Sequence, residues 1–437
     1  MTSSGSGVGR VDGQAVFVPF TAVGDVVKIV IVKVNKTYAY GRLLEILTPS
    51  ISRIENDCVA FPKCGGCTFR HIAYKEELRI KEEMVKNAFV KIGGIQANIS
   101  PIVGANETLF YRNKAQLPVG KAPYNTAQIG FYTERSHSIV DTPNCLIGEE
   151  EFSSIVKTLR NWIDENNISA YHEESGKGLL RHIFLRIGKQ TNEIMVCLVI
   201  NGEDINKKTR LINALTKNHP NIKSIVLNIN EKQGNVILGK SCVTIWGEDF
   251  IYDILGDIKF KISPLSFYQV NPLQTVHLYN KAVELCNLNG SETVLDLYCG
   301  IGTISLFLAK KALKVYGVEI VKEAVENAVE NAVINQISNV EFFEGDAFLA
   351  AKKLFEKNIS PNILVVDPPR KGCEKELLEL MVRINPEKIV YISCDCATLA
   401  RDAKILSENG YKVQEVHPFD MFPRTANTEV VTLLSRE

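Results

Sequence analysis

Val294-Leu295-Asp296-Leu297-Tyr298-Cys299-Gly300-Ile301-Gly302 is a short apolar run that breaks into two closely spaced glycines. Such a run, ended by a turn signal, reads as a buried strand, and glycine lets a backbone pass where a Cβ would collide. The pattern repeats downstream. Strands are predicted at 293–298, 314–320, 340–343, 363–367 and 388–393, with helical stretches such as 322–335 and 398–409 between them. Strict strand–helix alternation after about residue 290 predicts a doubly wound α/β sheet whose binding edge is formed by the strand carboxyl ends.

A lone Gly-x-Gly is weak evidence for any ligand. Here Ser305 replaces the third glycine of the dinucleotide fingerprint, which disfavours a phosphate-gripping loop. Glu319 ends the next predicted strand, nineteen residues after Gly300, where a carboxylate grips ribose hydroxyls. Asp346 follows the third strand, placed to reach an adenine edge. Together these form the class I methyltransferase arrangement for S-adenosylmethionine.

Upstream, residues 8–47 read as all-β, with runs at 14–20, 26–34 and 38–47 separated by turn signals. A small oligonucleotide-binding type of barrel fits the size, with its first strand missing or irregular. A charged 3.6-periodic stretch over 74–92 stops at Gly93-Gly94 and predicts a helix. Strand-like segments at 179–187, 194–200 and 224–230, with a helix near 150–166, suggest an α+β middle region. The 437 residues suit about three domains: a barrel over 1–48, an α+β domain over 49–262 and the α/β domain over 263–437.

Composition narrows the setting. Apolar residues at 45% and charged residues at 23% are ordinary for a globular chain and exclude disorder. The longest apolar run, Ile194–Ile200, is seven residues, far short of a membrane span. No basic or apolar leader opens the chain, so a cytoplasmic protein is expected. Fifty Lys and Arg balance fifty Asp and Glu, which excludes a global polycation. Between 58 and 135, eleven Lys and Arg face six Asp and Glu, a local excess of five positive charges that hints at a nucleic-acid surface. A solvated helix face gives a similar count.

Eleven cysteines without a leader argue for metal or catalytic roles. Cys58, Cys64 and Cys67 cluster, and Cys145 sits apart. Asp367-Pro368-Pro369-Arg370-Lys371-Gly372 closes the fourth strand, and Ser393-Cys394-Asp395-Cys396 closes the fifth. A cysteine between a strand end and a helix start can be lowered toward its thiolate by the helix N-terminus. Such a cysteine, taken alone, is more often an inert packing residue.

These motifs resemble the S-adenosylmethionine-dependent RNA uracil-C5 methyltransferases over nearly the whole chain. The matching pieces are Phe267-Tyr268-Gln269-Val270-Asn271, the 295–302 stretch, Asp367-Pro368-Pro369-Arg370, Ser393-Cys394-Asp395, and Phe422-Pro423-Arg424-Thr425 followed by Glu429. The N-terminal strands resemble a TRAM domain. Cys58, Cys64, Cys67 and Cys145 resemble the iron–sulfur site of the ribosomal RNA branch.

The resemblance implies that Cys394 is the nucleophile and Glu429 the base. It implies that Gln269, Tyr298, Glu319, Asp346 and Asp367 hold the cofactor, that Phe267 stacks on a flipped uracil and that Arg112 touches RNA. It also implies a [4Fe–4S] cluster, with structural zinc as the alternative. RNA is the implied partner, ribosomal RNA ahead of transfer RNA, and no obligate protein partner is implied. Two positions depart from the family: Cys396 replaces the usual proline, and Asn427 replaces the common histidine before Glu429. Two other readings compete. An N-methyltransferase would carry an aromatic residue where Arg370 stands, and a non-catalytic RNA-binding protein would not need Cys394 and Glu429.

Overall fold

A computed structural model describes residues 1–122 and 126–436. By internal contacts the chain forms two compact units. The first joins residues 1–106 to 368–374 and 391–437, and the second holds 107–367 and 375–390.

The first unit begins with β1 (Gly7–Val11), β2 (Gln14–Val18), β3 (Val26–Val34) and β4 (Tyr38–Thr48). They form a four-stranded sheet in the order β1-β2-β4-β3. The first strand is therefore present and pairs along its whole length with β2. Four strands fall short of the five of an oligonucleotide-binding barrel, so the barrel expectation holds only for the strand-rich character of this segment. Val16, Val18 and Ala39 make its small core. Asp25 ties the sheet to the next segment. Its carboxylate accepts from the Ala22 and Ser50 N–H groups and from the Arg53 guanidinium at 2.7 Å.

Helix α1 (Tyr74–Ala88) carries Glu76 and Glu77 in its first turn, where acidic side chains complement the helix dipole. It runs into one π turn, Phe89–Gly93, and stops at Gly94 in the left-handed region. A Cβ on Gly93 would sit 3.1 Å from the Ala400 carbonyl, so this turn approaches a later helix closely.

In the second unit, β5 (Lys114–Lys121), β6 (Ala127–Tyr132), β7 (Ile139–Asp141), α2 (Glu150–Glu165), β8 (Leu180–Ile187), β9 (Ile194–Ile200), α3 (Lys208–Asn218), β10 (Ile222–Ile229) and β11 (Ser241–Gly247) build the middle region. The strands make one sheet in the order β11-β10-β9-β8-β5-β6-β7, parallel only between β9 and β10. Leu117, Val119, Ile183 and Leu185 point to the face covered by α2 and α3. By the two-residue period, Lys114, Gln116, Pro118 and Gly120 take the other face. A hairpin of β12 (Ile251–Leu255) and β13 (Ile258–Ile262) follows.

Next come α4 (Pro272–Cys286), β14 (Thr293–Leu297), α5 (Thr303–Ala309), β15 (Lys314–Glu319), α6 (Lys322–Ile334), β16 (Val340–Glu344), α7 (Ala347–Glu356), β17 (Ile363–Val366) and α8 (Lys375–Ile384). Strands β16, β15, β14 and β17 pair in parallel in that order, so the chain reverses direction across the sheet beside β14. That reversal is the crevice where open α/β sheets bind ligands. Strand β18 (Lys388–Ser393) then leads to α9 (Cys396–Ser407), β19 (Tyr411–Phe419) and β20 (Glu429–Arg436), the last two an antiparallel pair.

The first unit is closed by its own distant ends. Ile99 and Val103 make parallel bridges to Val416 and Phe419, so an N-terminal segment covers the edge of β19. Beside it lies a wholly buried charge network. Lys81 Nζ donates to Glu77 Oε1 at 2.8 Å, to Asp420 Oδ1 at 2.6 Å and to the Phe422 carbonyl at 3.1 Å. The Tyr74 hydroxyl donates to Asp420 Oδ2 at 2.7 Å, and the Arg424 N–H donates to Glu77 at 2.8 Å. Burial pushes the Glu77 carboxyl up to about 7 against the pull of the Lys81 ammonium.

Removing one partner of a buried ion pair leaves an uncompensated charge, at a cost of roughly 3–5 kcal/mol. Lys81→Met is expected to lower unfolding stability by about that amount in chemical denaturation. Lys86→Met, which breaks only an exposed pair with Glu82, should cost about 0.5 kcal/mol or less.

Candidate active site

The second unit contributes a glycine loop at the end of β14. Tyr298 and Gly300 take positive φ angles of 69° and 56°, and Gly302 starts α5 at 79°. The loop is pinned by the Tyr298 and Cys299 N–H groups donating to the Val318 carbonyl. Added at Gly302, a Cβ would meet Phe342 at 2.8 Å. At Gly300 it would meet nothing within 4 Å, so that glycine faces open space.

Three carboxylates surround this loop. Glu319 Oε2 accepts the Gly300 N–H at 3.1 Å and Oε1 accepts the Val321 N–H at 3.0 Å. Asp296 is fully buried and bonded to the Ser305 hydroxyl. Burial, together with the Asp367 and Glu319 charges, raises its carboxyl to about 8. Burial also raises Asp367, just past β17, to about 6. A site that raises carboxylates in this way favours a cation near them. S-adenosylmethionine, with its sulfonium and ammonium, fits that field and the open space at Gly300.

The Phe267–Asn271 motif is clamped from several directions. Asn271 caps α4, Tyr268 donates to Asp253, and Asn113 donates to the Gln269 and Val270 carbonyls. Gln269 is buried, whereas the Phe267 ring is 61% exposed. Lys114 Nζ lies 5.9 Å from the Phe267 centroid, and burial beside Arg186 and Arg112 lowers it to about 8. Arg112 is half-buried with its guanidinium over the Tyr111 ring. Asp346 is exposed and serves as the N-cap of α7, its Oδ1 accepting from Phe348 and Leu349 N–H. The cap alone accounts for an aspartate at this position.

The first unit holds further residues singled out in the sequence. Cys394 is half-buried in the turn between β18 and α9. Asp395 caps α9 by accepting from the Ala397 and Thr398 N–H groups. Cys396, the first residue of that helix, is held protonated, because burial and the Asp395 charge raise it to about 11. Glu429 opens β20 at only 3% exposure, so it is not a solvated strand-end carboxylate. Asn427 Oδ1 accepts from Arg370, which gives that departure from the family pattern a local partner.

Sequence reasoning missed the residue that shapes the Pro368–Glu374 turn. Asp402, fully buried on α9, accepts from the Cys373 N–H at 2.8 Å, the Tyr391 hydroxyl at 2.6 Å and Arg401 at 2.8 Å. A polar residue at a core position of the 398–409 helical pattern was its only signal.

The cysteine cluster is placed differently from expectation. Cys58, Cys64 and Cys67 lie half-buried in the loop before α1, and Cys145 lies half-buried before α2. Among the described residues no three His, Cys, Asp or Glu side chains come close enough to hold a metal ion. The side chains thus do not form the anticipated ligand set. Cys64 Sγ instead accepts the Gly66 N–H at 3.4 Å. No described helix is long and apolar enough to cross a membrane.

Fold and loop suit an S-adenosylmethionine-dependent methyltransferase, and likeness to known proteins makes it an RNA methyltransferase. Residues 206–437 match the family model described as tRNA (Uracil-5-)-methyltransferase, and residues 1–44 match the TRAM domain. The chain belongs to that methyltransferase family. An uncharacterized RNA methyltransferase of Clostridium tetani is 48% identical, covering 100% of this chain and 94% of its own. One from Halalkalibacterium halodurans is 46% identical over 99% and 95%. The crystal structure of Pyrococcus abyssi tRNA (uracil-54, C5)-methyltransferase with S-adenosyl-L-homocysteine superposes with a TM-score of 0.78. It is 28% identical and covers 99% of this chain and 98% of that one.

The two thiols beside α9 should differ in reactivity. At about pH 8, Cys396 is expected to resist iodoacetamide, with an alkylation rate that climbs as pH approaches 11. Peptide mass spectrometry reads this directly, and fast labelling of Cys396 at neutral pH would contradict its assignment as a packed thiol.

Proposed function

We propose that this chain methylates C5 of a uridine in ribosomal RNA through a covalent adduct between Cys394 and C6 of the uracil. The observation that carries the mechanism is a half-buried cysteine in a strand-to-helix turn, in one compact unit with a buried carboxylate, Glu429. C5 of uracil is a poor nucleophile, and a thiolate added to C6 generates an enolate that is a good one. S-adenosylmethionine supplies the electrophilic methyl and leaves as the thioether. Glu429 then removes the C5 proton, and the C6–S bond breaks to restore the aromatic ring and the Cys394 thiolate.

The roles proposed within the second unit rest on the family resemblance, and the open space at Gly300 and the nearby carboxylates support them. Glu319 and Asp367 hold the cofactor by charge, Gln269 and Tyr298 by contact, and Asp346 flanks its adenine side. Phe267 offers an exposed ring for the flipped uracil, with Arg112 beside the RNA. The N-terminal strands β1 to β4 add RNA affinity. Phe17, Tyr38 and Tyr40 cluster there with ring centroids 5.5–5.8 Å apart, and Lys28, Lys33, Lys36 and Arg42 are exposed around them.

Ribosomal RNA is favoured because the TRAM segment and the cysteine loop go with that branch of the family. The full-length likeness to an enzyme named for tRNA uracil-54 supports transfer RNA as the second reading. Four-thiolate ligation of a [4Fe–4S] cluster by Cys58, Cys64, Cys67 and Cys145 is proposed on the family resemblance, against the finding that these thiols do not come together among the described residues. Cys67 and Cys58 lie in the field of the buried Arg70 guanidinium, whose Nη2 has no hydrogen-bond partner among the described residues. A buried cation there suits thiolates. Anaerobically purified protein should be brown and contain iron and sulfide. Colourless protein with one zinc would refute the cluster.

Ribosomal and transfer RNA carrying 5-fluorouridine should each be tested for a trapped covalent complex, since fluorine at C5 cannot leave as a proton does. Cys394→Ala should abolish the complex and Cys396→Ala should keep it. Glu429→Gln should accumulate a methylated, covalently attached product, because methyl transfer precedes proton removal. Normal turnover of Glu429→Gln would assign the base elsewhere.

RNA affinity should fall linearly on a log–log salt plot, with a slope of about −0.7 per phosphate contacted on single-stranded RNA. Deleting residues 1–48 should weaken binding. Salt-insensitive affinity would remove the barrel and the 58–135 segment from the RNA surface.

A further inference from the structure

The central sheet of the second unit has a second feature on the face that carries Lys114. A cavity of about 480 Å³ opens where β5, β6 and β8 meet the loops after β6 and before β8. Its walls are aromatic. Tyr132 stacks on His137 with centroids 5.1 Å apart and planes 22° from parallel, and Arg181 lies 4.3 Å over the Tyr171 ring. Glu173 is held at the rim by the Tyr132 hydroxyl at 3.2 Å and by His137.

His182 lines this cavity at 6% exposure, with no hydrogen-bond partner for either ring nitrogen among the described residues. Arg181 Nε is likewise buried and unpartnered. A buried polar group without a partner costs roughly 1–3 kcal/mol, so a native protein rarely keeps two side by side without a use. Burial and the Arg181 charge lower His182 to about 4, so at neutral pH the ring is uncharged and offers one donor and one acceptor.

The sheet register gives the direction. Pro118 pairs with His182 and Lys114 pairs with Arg186 on neighbouring strands. Lys114, beside the exposed Phe267, and Gly120, in the cavity wall, share one face of β5 six residues apart, roughly 20 Å at strand rise. One face therefore presents an exposed stacking ring at one end and a polar aromatic pocket at the other.

We infer that the His182 pocket takes a second, unstacked nucleobase of the RNA that places its uridine against Phe267. The inference rests on the RNA methyltransferase reading. A flat ring laid on the open side of the Tyr132–His137 stack, with its hydrogen-bonding edge toward His182, would give a partner to the ring nitrogens left without one among the described residues. Sequence-specific RNA recognition works this way, by splaying single-stranded bases into aromatic pockets. A phosphate would meet Glu173 and Glu174 as well as Lys121 and Arg181, a lining without the net positive charge a phosphate needs. The pocket thus fixes which strand segment enters, and it contributes to choice of uridine without touching the reacting base.

The test uses the full chain, its His182→Phe and Tyr132→Leu variants, and ribosomal RNA extracted from cells lacking the gene. Methyl incorporation and filter binding are measured with each. His182→Phe removes the unpaired nitrogens and keeps a ring, so its melting temperature should match or exceed that of the unaltered protein. Both variants should raise KM for RNA about tenfold or more, with kcat and S-adenosylmethionine affinity unchanged. Unaltered KM in both variants, or a fall in kcat alone, overturns the pocket.

If the unaltered protein binds this RNA without methylating it, and His182→Phe weakens that binding tenfold, the methylation reading fails and the pocket stands. If zinc or free nucleoside monophosphates stabilise the unaltered protein but not His182→Phe, while RNA kinetics are equal, the pocket serves a small ligand and the inference is wrong.

Discussion

Lys81 is the residue on which the first unit turns. Its ammonium is wholly buried and is shared by a carboxylate four residues earlier and another 339 residues later. Buried charge is costly unless every partner is in place. That condition makes the network a register device: helix α1 can dock on the 420–424 segment in only one way. The Arg424 carbonyl then accepts from Thr68 and Phe69, and its guanidinium reaches back to the Ile72 carbonyl. The turn between Asp420 and Glu429 is therefore fixed from both sides. For Glu429 as the proposed base, such placement matters more than an unusual basicity, because a misplaced base does not act at all.

Local signals in the chain carried most of the elements. The run Ile194–Ile200 is a strand with those same ends, and the charged 74–92 stretch becomes α1 and its π turn. Apolar period and glycine stops are properties of neighbours in sequence, and they are legible for that reason. What pairs residue 77 with 424, or 103 with 419, is not periodic. Those contacts depend on burial of charges and on one strand edge needing cover, neither of which a window of residues contains. The same holds for the N-terminal sheet, where three strands were visible and β1, five residues with only one buried, was not.

The candidate site divides along the same line. Motif residues were legible because their types are unusual for their positions: a cysteine after a strand, a carboxylate at a strand end, glycines in a turn. Supporting residues were not. Asp402 and Asp395 look like ordinary helix polar residues, yet one shapes the turn after Asp367 and the other caps the helix beside Cys394. Asp346 shows the converse, since the residue picked out for a ligand already has a structural task as a helix cap. The expected metal ligands were taken from the family resemblance and the spacing of Cys58, Cys64 and Cys67. Spacing places thiols on one loop, but it does not by itself bring a distant fourth thiol to them.

Zero net charge and RNA binding are reconciled by where the charges lie. Around the glycine loop stand Asp296, Glu319 and Asp367, and burial, helped at Asp296 by the charges of the other two, pushes Asp296 and Asp367 toward protonation. A cation entering there restores their ordinary ionisation, which couples cofactor binding to charge that is otherwise disfavoured. Beside Phe267 the sign is reversed. Lys114 is lowered by burial and then by the positive charges of Arg186 and Arg112. An RNA phosphate approaching Lys114 would relieve that repulsion just as the cofactor relieves the carboxylates. On the proposed roles, each substrate would supply the charge its own site lacks. A chain of fifty positive and fifty negative residues can therefore be selective for a cation at one loop and a polyanion at another without any overall bias.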